Sequence, residues 1–109
     1  MYLMMNQAAK SLVGVHDFAT FGQPPQGENT VREVFTAVCH RENEMVLITI
    51  EANAFLQRMV RSIVGSLKLV GEGSWTVEQF GAALAACDRS HCGTVAPPHG
   101  LYLVSVTYE

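Results

Sequence analysis

Residues 53–71 read NAFLQRMVRSIVGSLKLVG, the longest stretch of this chain that keeps an unbroken helical period. At about 100° per residue, its apolar side chains fall on one broad arc of a helix. They are Leu56, Met59, Val60, Ile63, Leu67 and Val70. Asn53 is a residue type that favours the N-cap of a helix, and Gly71 and Gly73 favour its end. The sequence therefore predicts a core helix that begins at Asn53 and ends at Gly71.

The opposite side of this predicted helix carries a basic strip, formed by Arg58, Arg61, Gly65 and Lys68. Arginine binds carboxylates and phosphates through two parallel N–H donors, so the strip could face an anionic partner. A core helix also often has a charged face simply because that face meets solvent. Both interpretations remain open on periodicity alone.

The length and composition indicate one folded domain, residues 1–109. Hydrophobic residues make up 49% of the chain and charged residues 16%, which favours a folded core over disorder. The apolar runs are too short to cross a bilayer, and the first residues lack the basic start and cleavage site of a signal peptide. We therefore expect a cytoplasmic protein without a membrane segment.

The net charge of −3 argues against a general affinity for nucleic acid. Three of the seven basic residues, Arg58, Arg61 and Lys68, nevertheless share one face of the predicted helix. Any contact with RNA would therefore be local to that face.

The cysteines do not form a disulfide pattern. Cys39, Cys87 and Cys92 are an odd and sparse set, which is typical of a reducing compartment. Cys87 and Cys92, with His91 and His99, resemble a zinc site in composition. Their spacing is unusual for zinc, and two prolines would have to be accommodated within the site. We therefore predict no metal site.

Three further segments predict strands. Residues 31–40 and 45–51 are rich in β-branched and apolar residues, and residues 42–44 between them are typical of a hairpin turn. Residues 101–108 form a similar segment at the end of the chain.

Two further helices complete the predicted fold. Residues 4–13 carry apolar residues at helical spacing, and Thr76 with Gln79 resembles a capping box. The apolar stripe after this box is Val77, Phe80, Leu84 and Cys87. Phe18 and Phe21 are interpreted as anchors of a loop, with stacking on a base as the alternative. The sequence thus predicts an α+β fold, an antiparallel sheet with helices packed on one face.

Most catalytic templates are missing from the sequence. It has no phosphate-binding glycine loop, no nucleophile elbow and no His-Glu-x-x-His motif. Asp88 with Arg89 is interpreted as a local turn or cap, and Asp17, which could form a polar pair with His16, is interpreted as structural. The basic strip and the rigid turn at residues 96–100 remain as candidate functional features. Two classes of protein stay open, a binding or assembly module and a part of an enzyme whose other groups lie elsewhere.

Several blocks of the sequence, in order, resemble the C-terminal half of the TruA family of tRNA pseudouridine synthases. The block at residues 53–65 is similar to the family's signature, and it is followed by Val70-Gly-x-Gly73, Asp88-Arg-Ser90 and Ala96-Pro-Pro-His-Gly-Leu-Tyr-Leu103. Upstream, Val13-Gly-x-His-Asp-Phe-x-x-Phe21 also matches. The resemblance therefore covers nearly the whole chain.

This resemblance implies a reaction in which uridine becomes pseudouridine without a cofactor or metal. The family's chemistry uses an aspartate in a Gly-Arg-Thr-Asp-Ala-Gly block, a tyrosine that packs on the base, and an arginine that pairs with the aspartate. The aspartate block is absent from this sequence. The arginine corresponds to Arg61, whose expected task is to keep that carboxylate ionised.

Five further residues are expected at the site. Phe55 and Leu101 are expected in the wall of the base pocket, and Lys68 and His99 among the RNA-binding groups. The role of Arg58 does not transfer from the family, because many relatives carry an aromatic or histidine residue there, and we interpret it as a phosphate contact. A solvated helix residue is an equal alternative for Arg58.

We therefore expect the C-terminal domain of a synthase that modifies the anticodon stem-loop of tRNA. Because the catalytic aspartate block is missing, we expect the 109-residue chain to be inactive alone. The complete enzyme is expected to be a homodimer without contact to a membrane. The alternative is a non-catalytic module for RNA binding or dimerisation.

Overall fold

The described part of the chain folds into a four-stranded sheet and three α-helices. The computed structural model describes residues 2–23, 29–42, 45–93 and 102–108. The elements, in chain order, are α1 (Tyr2–Lys10), β1 (Gly14–Asp17), β2 (Val31–Glu42), β3 (Met45–Ala52), α2 (Met59–Gly71), α3 (Val77–Ala86), a single 3-10 turn (Arg89–His91) and β4 (Tyr102–Tyr108). The predicted α+β class is confirmed.

The strands lie in the order β1-β2-β3-β4, and the first three are antiparallel. β4 instead pairs parallel with β3, from Val46 opposite Tyr102 to Ala52 opposite Tyr108. The connection from β3 to β4 contains α2 and α3, and this long crossover returns the chain to the end where β3 began. The sheet is thus antiparallel except for its last pair.

The core lies between the helices and one face of the sheet. On β3, Ile48, Ile50 and Ala52 are buried, while Leu47 and Thr49, which point to the other face, are half-buried. The expected hairpin joins β2 to β3, and their pairing extends to Glu42 opposite Met45. No helix among the described residues is both long enough and apolar enough to span a membrane.

Helix α1 packs with the residues that its periodicity predicts. The buried set is Met5, Ala8, Ala9 and Leu12. Asn6 on the same helix accepts a hydrogen bond from the backbone N–H of Cys39 through Oδ1 at 2.9 Å. The helix ends at Lys10, earlier than predicted, because Gly14 with φ of 112° begins β1. This four-residue strand was not predicted.

Helix α3 begins at the predicted capping box. The Gln79 N–H donates to Thr76 Oγ1 at 3.0 Å, and the Thr76 N–H donates to Gln79 Oε1 at 2.7 Å. Phe80 and Leu84 are buried as expected, but the prediction for Cys87 is wrong. Cys87 is exposed because the helix ends there in a left-handed conformation with φ of 53°.

The segment from Phe18 to Gln23, which we call the anchor turn, is fixed to the core. Phe18 and Phe21 are fully buried, and the ring of Phe21 stacks on Phe80 with centroids 5.5 Å apart. The interpretation of these two residues as anchors is confirmed, and neither ring is open to a base. Between them, Thr20 Oγ1 donates to the carbonyl of Ala83 at 2.6 Å and accepts from the Asp88 N–H at 3.0 Å.

Replacing Thr20 with valine should lower the free energy of unfolding by about 2 kcal/mol. Valine keeps the volume but leaves the Ala83 carbonyl and the Asp88 N–H without this partner. Urea denaturation of the chain measures the change. Thr49→Val on the half-buried face of β3 is the matched control and should stay within about 0.5 kcal/mol of the parent. Equal effects of the two substitutions would contradict the role of Thr20.

Candidate functional site

Helix α2 begins at Met59, six residues later than the sequence predicts. The prediction of Asn53 as N-cap is wrong because Asn53 forms hydrogen bonds with β2 instead. Its Oδ1 accepts from the Glu33 N–H, and its own N–H donates to the Glu33 carbonyl, both at 3.0 Å. Residues 53–58 therefore form a separate connection between β3 and the helix.

Arg58 occupies the N-cap position in a left-handed conformation, with φ of 65° and ψ of 1°, and makes no side-chain capping bond. Its carbonyl accepts the first helical hydrogen bond, from the Ser62 N–H at 2.9 Å. A left-handed conformation costs a non-glycine residue about 1–2 kcal/mol. The backbone at this position is therefore strained, and surrounding contacts must hold it.

Those contacts come from the anchor turn. Gln23 and Gln57 form an isolated antiparallel bridge, in which the Gln23 N–H donates at 3.2 Å and the Gln57 N–H at 2.8 Å. Next to this bridge, Gly22 is buried against the connection. A Cβ atom on Gly22 would lie 2.5 Å from Leu56 Cβ and 2.9 Å from the Gln57 carbonyl oxygen. We call this contact between residues 22–23 and 56–59 the glycine junction.

The basic strip is not continuous, so the predicted arrangement is wrong in part. Arg61 is exposed in the first turn of α2, but Gly65 is buried. Ser66 is also buried, and its Oγ accepts from the Gly93 N–H at 3.1 Å. The chain after the 3-10 turn therefore covers this side of α2 at Ser66, which periodicity within the helix cannot reveal.

Lys68 is half-buried and lies 3.8 Å from the Glu72 carboxylate, one turn further along α2. An ion pair between exposed side chains contributes about 0–1 kcal/mol, but it places a negative charge beside the lysine. This neighbour weakens the case for Lys68 as a phosphate contact.

The other predicted site residues are distributed as follows. Phe55 is half-buried and packs against the core just before α2. Arg58 is exposed at the start of the helix. His99 and Leu101 lie outside the described residues. The structure thus brings Phe55, Arg58 and Arg61 to one end of α2, while Lys68 lies two turns further along.

Both aspartates have structural roles, as predicted, and Asp88 serves a local turn. Asp17 Oδ1 accepts from the Ala19 N–H at 3.0 Å and from Thr30 Oγ1 at 2.5 Å. Asp88 Oδ1 accepts from the N–H and the hydroxyl of Ser90, both at 2.9 Å. These bonds, with the backbone N–H contributing most, lower the pKa of Asp88.

The thiols are separate from this end of α2. Burial raises the pKa of Cys39 to about 12, so its thiol stays protonated at neutral pH. Burial, and then the charge of Asp17, raise the pKa of the exposed Cys87. Within residues 2–23, 29–42, 45–93 and 102–108, no three His, Cys, Asp or Glu side chains form a group that could hold a metal ion.

Sequence reasoning missed the glycine junction. The sequence predicts Phe18 and Phe21 as anchors of a loop but assigns no role to Gly22. A glycine directly after two anchoring aromatic residues was the available signal, because such a position tolerates a close backbone approach.

Residues 8–109 match a family model described as tRNA pseudouridine synthase. The chain is 48% identical over 106 residues to the tRNA pseudouridine synthase A of Methylocella silvestris, and 48% identical to that of Parvibaculum lavamentivorans. Each alignment covers 96% of this chain and 43% of the relative. The protein of the same name from Acidiphilium cryptum is also 48% identical, with 42% of its length covered. The chain therefore spans less than half the length of these curated relatives.

Replacing Arg58 with glycine should stabilise the fold by about 0.5–1 kcal/mol. The substitution relieves a left-handed strain of about 1–2 kcal/mol and loses about 0.5–1 kcal/mol through the greater freedom of the unfolded chain. Arg61→Gly is the matched control, since the same change inside a helix should destabilise by about 1 kcal/mol. Urea denaturation measures both, and a loss of stability in Arg58→Gly would show that the side chain itself holds the turn.

Proposed function

The chain belongs to the tRNA pseudouridine synthase family, and from that premise we propose that it is the C-terminal domain of a longer synthase. That enzyme, here called the full-length synthase, converts uridine to pseudouridine in the anticodon stem-loop of tRNA. The family match over residues 8–109 is the observation that carries this proposal. The exposed position of Arg61 at the start of a rigidly held helix supports it.

The reaction is an isomerisation in which atoms balance within the nucleotide. The C1′–N1 bond breaks, the base turns, and a C1′–C5 bond forms. C5 then loses its proton and N1 gains one. A carboxylate must stay ionised to take part, and an arginine within about 4–6 Å lowers the pKa of a carboxyl group. We assign this task to Arg61.

The carboxylate itself comes from outside this chain in the proposed enzyme. Asp17 and Asp88 are engaged in turns of the C-terminal domain, and no Gly-Arg-Thr-Asp-Ala-Gly block occurs in the sequence. More than half the length of the relatives has no counterpart here, which leaves ample chain to supply it. The isolated domain is therefore proposed to lack activity.

The remaining site residues are proposed to bind the RNA. Arg58 presents its guanidinium at the start of α2 and is proposed to contact a phosphate. Phe55 is proposed to line the base pocket beside it, together with Leu101. Lys68 and His99 are proposed as weaker RNA contacts, since Lys68 already has Glu72 nearby.

A non-catalytic RNA-binding or dimerisation module is the second possibility. The net charge of −3 and the interrupted basic strip argue against RNA binding by this chain alone. We propose instead that the full-length synthase acts in the cytoplasm as a homodimer, with tRNA as its partner and without a cofactor.

In the full-length synthase, Arg61→Ala should reduce the single-turnover rate by about 10³-fold or more. Its affinity for tRNA should change by less than about threefold, because Arg61 is proposed to act on the carboxylate. Release of tritium from tRNA labelled at uridine C5 gives the rate, and filter binding gives the affinity. A near-normal rate in Arg61→Ala would remove this residue from the site.

Arg58→Ala is the matched control in the same assays. It should weaken tRNA binding and reduce the slope of log affinity against log salt by about 0.7–0.9. Its single-turnover rate at saturating enzyme should remain close to that of the parent.

A further inference from the structure

The anchor turn cannot move away from the core. It is fixed by the buried rings of Phe18 and Phe21, and Thr20 binds the backbone of α3 between them. The N–H groups of Phe21 and Gly22 both donate to the Phe18 carbonyl, at 2.9 and 3.1 Å. Gly22 is thus held by a closed turn in which Phe18, Thr20 and Phe21 are fully buried.

The opposite side of the glycine junction is the start of α2. Leu56 and Met59 are buried, and their Cβ atoms face Gly22. A Cβ atom at position 22 would lie 2.5 Å from Leu56 Cβ and 3.1 Å from Met59 Cβ. Carbon atoms in contact are normally about 3.5–4.0 Å apart. An added methyl group therefore requires a shift of about 1 Å.

We propose that Gly22 is a positioning residue for Arg61, an inference that rests on the proposed function. The anchor turn is fixed, so a side chain at position 22 displaces residues 56–59 instead. These residues lead into α2, which begins at Met59, and Arg61 lies in its first turn. The absence of a side chain at Gly22 thereby sets where the Arg61 guanidinium lies.

The displacement matters because the catalytic rate depends steeply on the positions of the reacting groups. A misplacement of about 1 Å can cost about 10²-fold in rate. The Gln23–Gln57 bridge transmits the same constraint, since its two backbone hydrogen bonds fix the register of the connection against the turn.

The test compares Gly22→Ala with Gly81→Ala in the full-length synthase, using uridine-labelled tRNA under single-turnover conditions. Gly81 lies within α3, and a Cβ atom there would meet nothing within 4 Å. Gly22→Ala should lower the single-turnover rate at saturating enzyme about tenfold or more, at temperatures where the protein is fully folded. Gly81→Ala should keep the parent rate.

A double-mutant cycle distinguishes positioning from general destabilisation. If Gly22 acts through Arg61, Gly22→Ala should change the rate less than about twofold once Arg61 is alanine. An equal loss in both backgrounds, or a parent-like rate in the single variant, would overturn the inference. If the parent synthase itself releases no tritium, the proposed function fails instead.

Gln23→Pro provides a second variant if Gly22→Ala does not fold. It removes the N–H that donates to the Gln57 carbonyl, and the proline ring carbon that replaces the hydrogen pushes the connection away from the turn while Gly22 is unchanged. A rate loss of about threefold or more that depends on Arg61 supports the inference, and a parent-like rate contradicts it.

Discussion

Gly22 lies so close to the start of α2 that a larger residue would require the backbone to shift. The arrangement of the anchor turn, the connection after β3 and the start of α2 depends on this contact. The anchor turn is locked to the core by two buried rings and one buried hydroxyl. The connection after β3 pairs with that turn at Gln57 and must enter a helix at Met59. Arg58 makes this change of direction in a single residue through its left-handed conformation.

Few positive charges are available at the candidate site. The protein is acidic overall, Lys68 has a carboxylate nearby, and the Ser66 side of α2 is covered by the chain at Gly93. Within residues 53–71, the positive charges therefore lie mainly at the beginning of α2, at Arg58 and Arg61. A site of this kind suits the precise pairing of one guanidinium with one carboxylate better than general attraction to a polyanion.

Features that depend on local sequence were predicted well. The capping box of α3 joins residues three positions apart, and the buried face of α1 and most of the predicted apolar arc of α2 follow from helical periodicity. The errors arise where distant segments meet. Asn53 resembles an N-cap but binds Glu33, 20 positions away, and Ser66 is covered by Gly93, 27 positions away. The parallel pairing of β4 likewise depends on the path of a long crossover. For the site, the resemblance identified Arg61 as a candidate, but the glycine junction that holds its helix could not be predicted, because it depends on the approach of two separate backbones.

The central claim is that this chain supplies the arginine of the site and not the carboxylate. The most direct measurement is tritium release from an unmodified tRNA transcript labelled at uridine C5, using the isolated 109-residue chain at high concentration. We expect no release above the protein-free blank, even though the chain is folded by circular dichroism. Sustained release, with pseudouridine recovered from the digested tRNA, would show that the chain contains a complete catalytic site and would contradict this account.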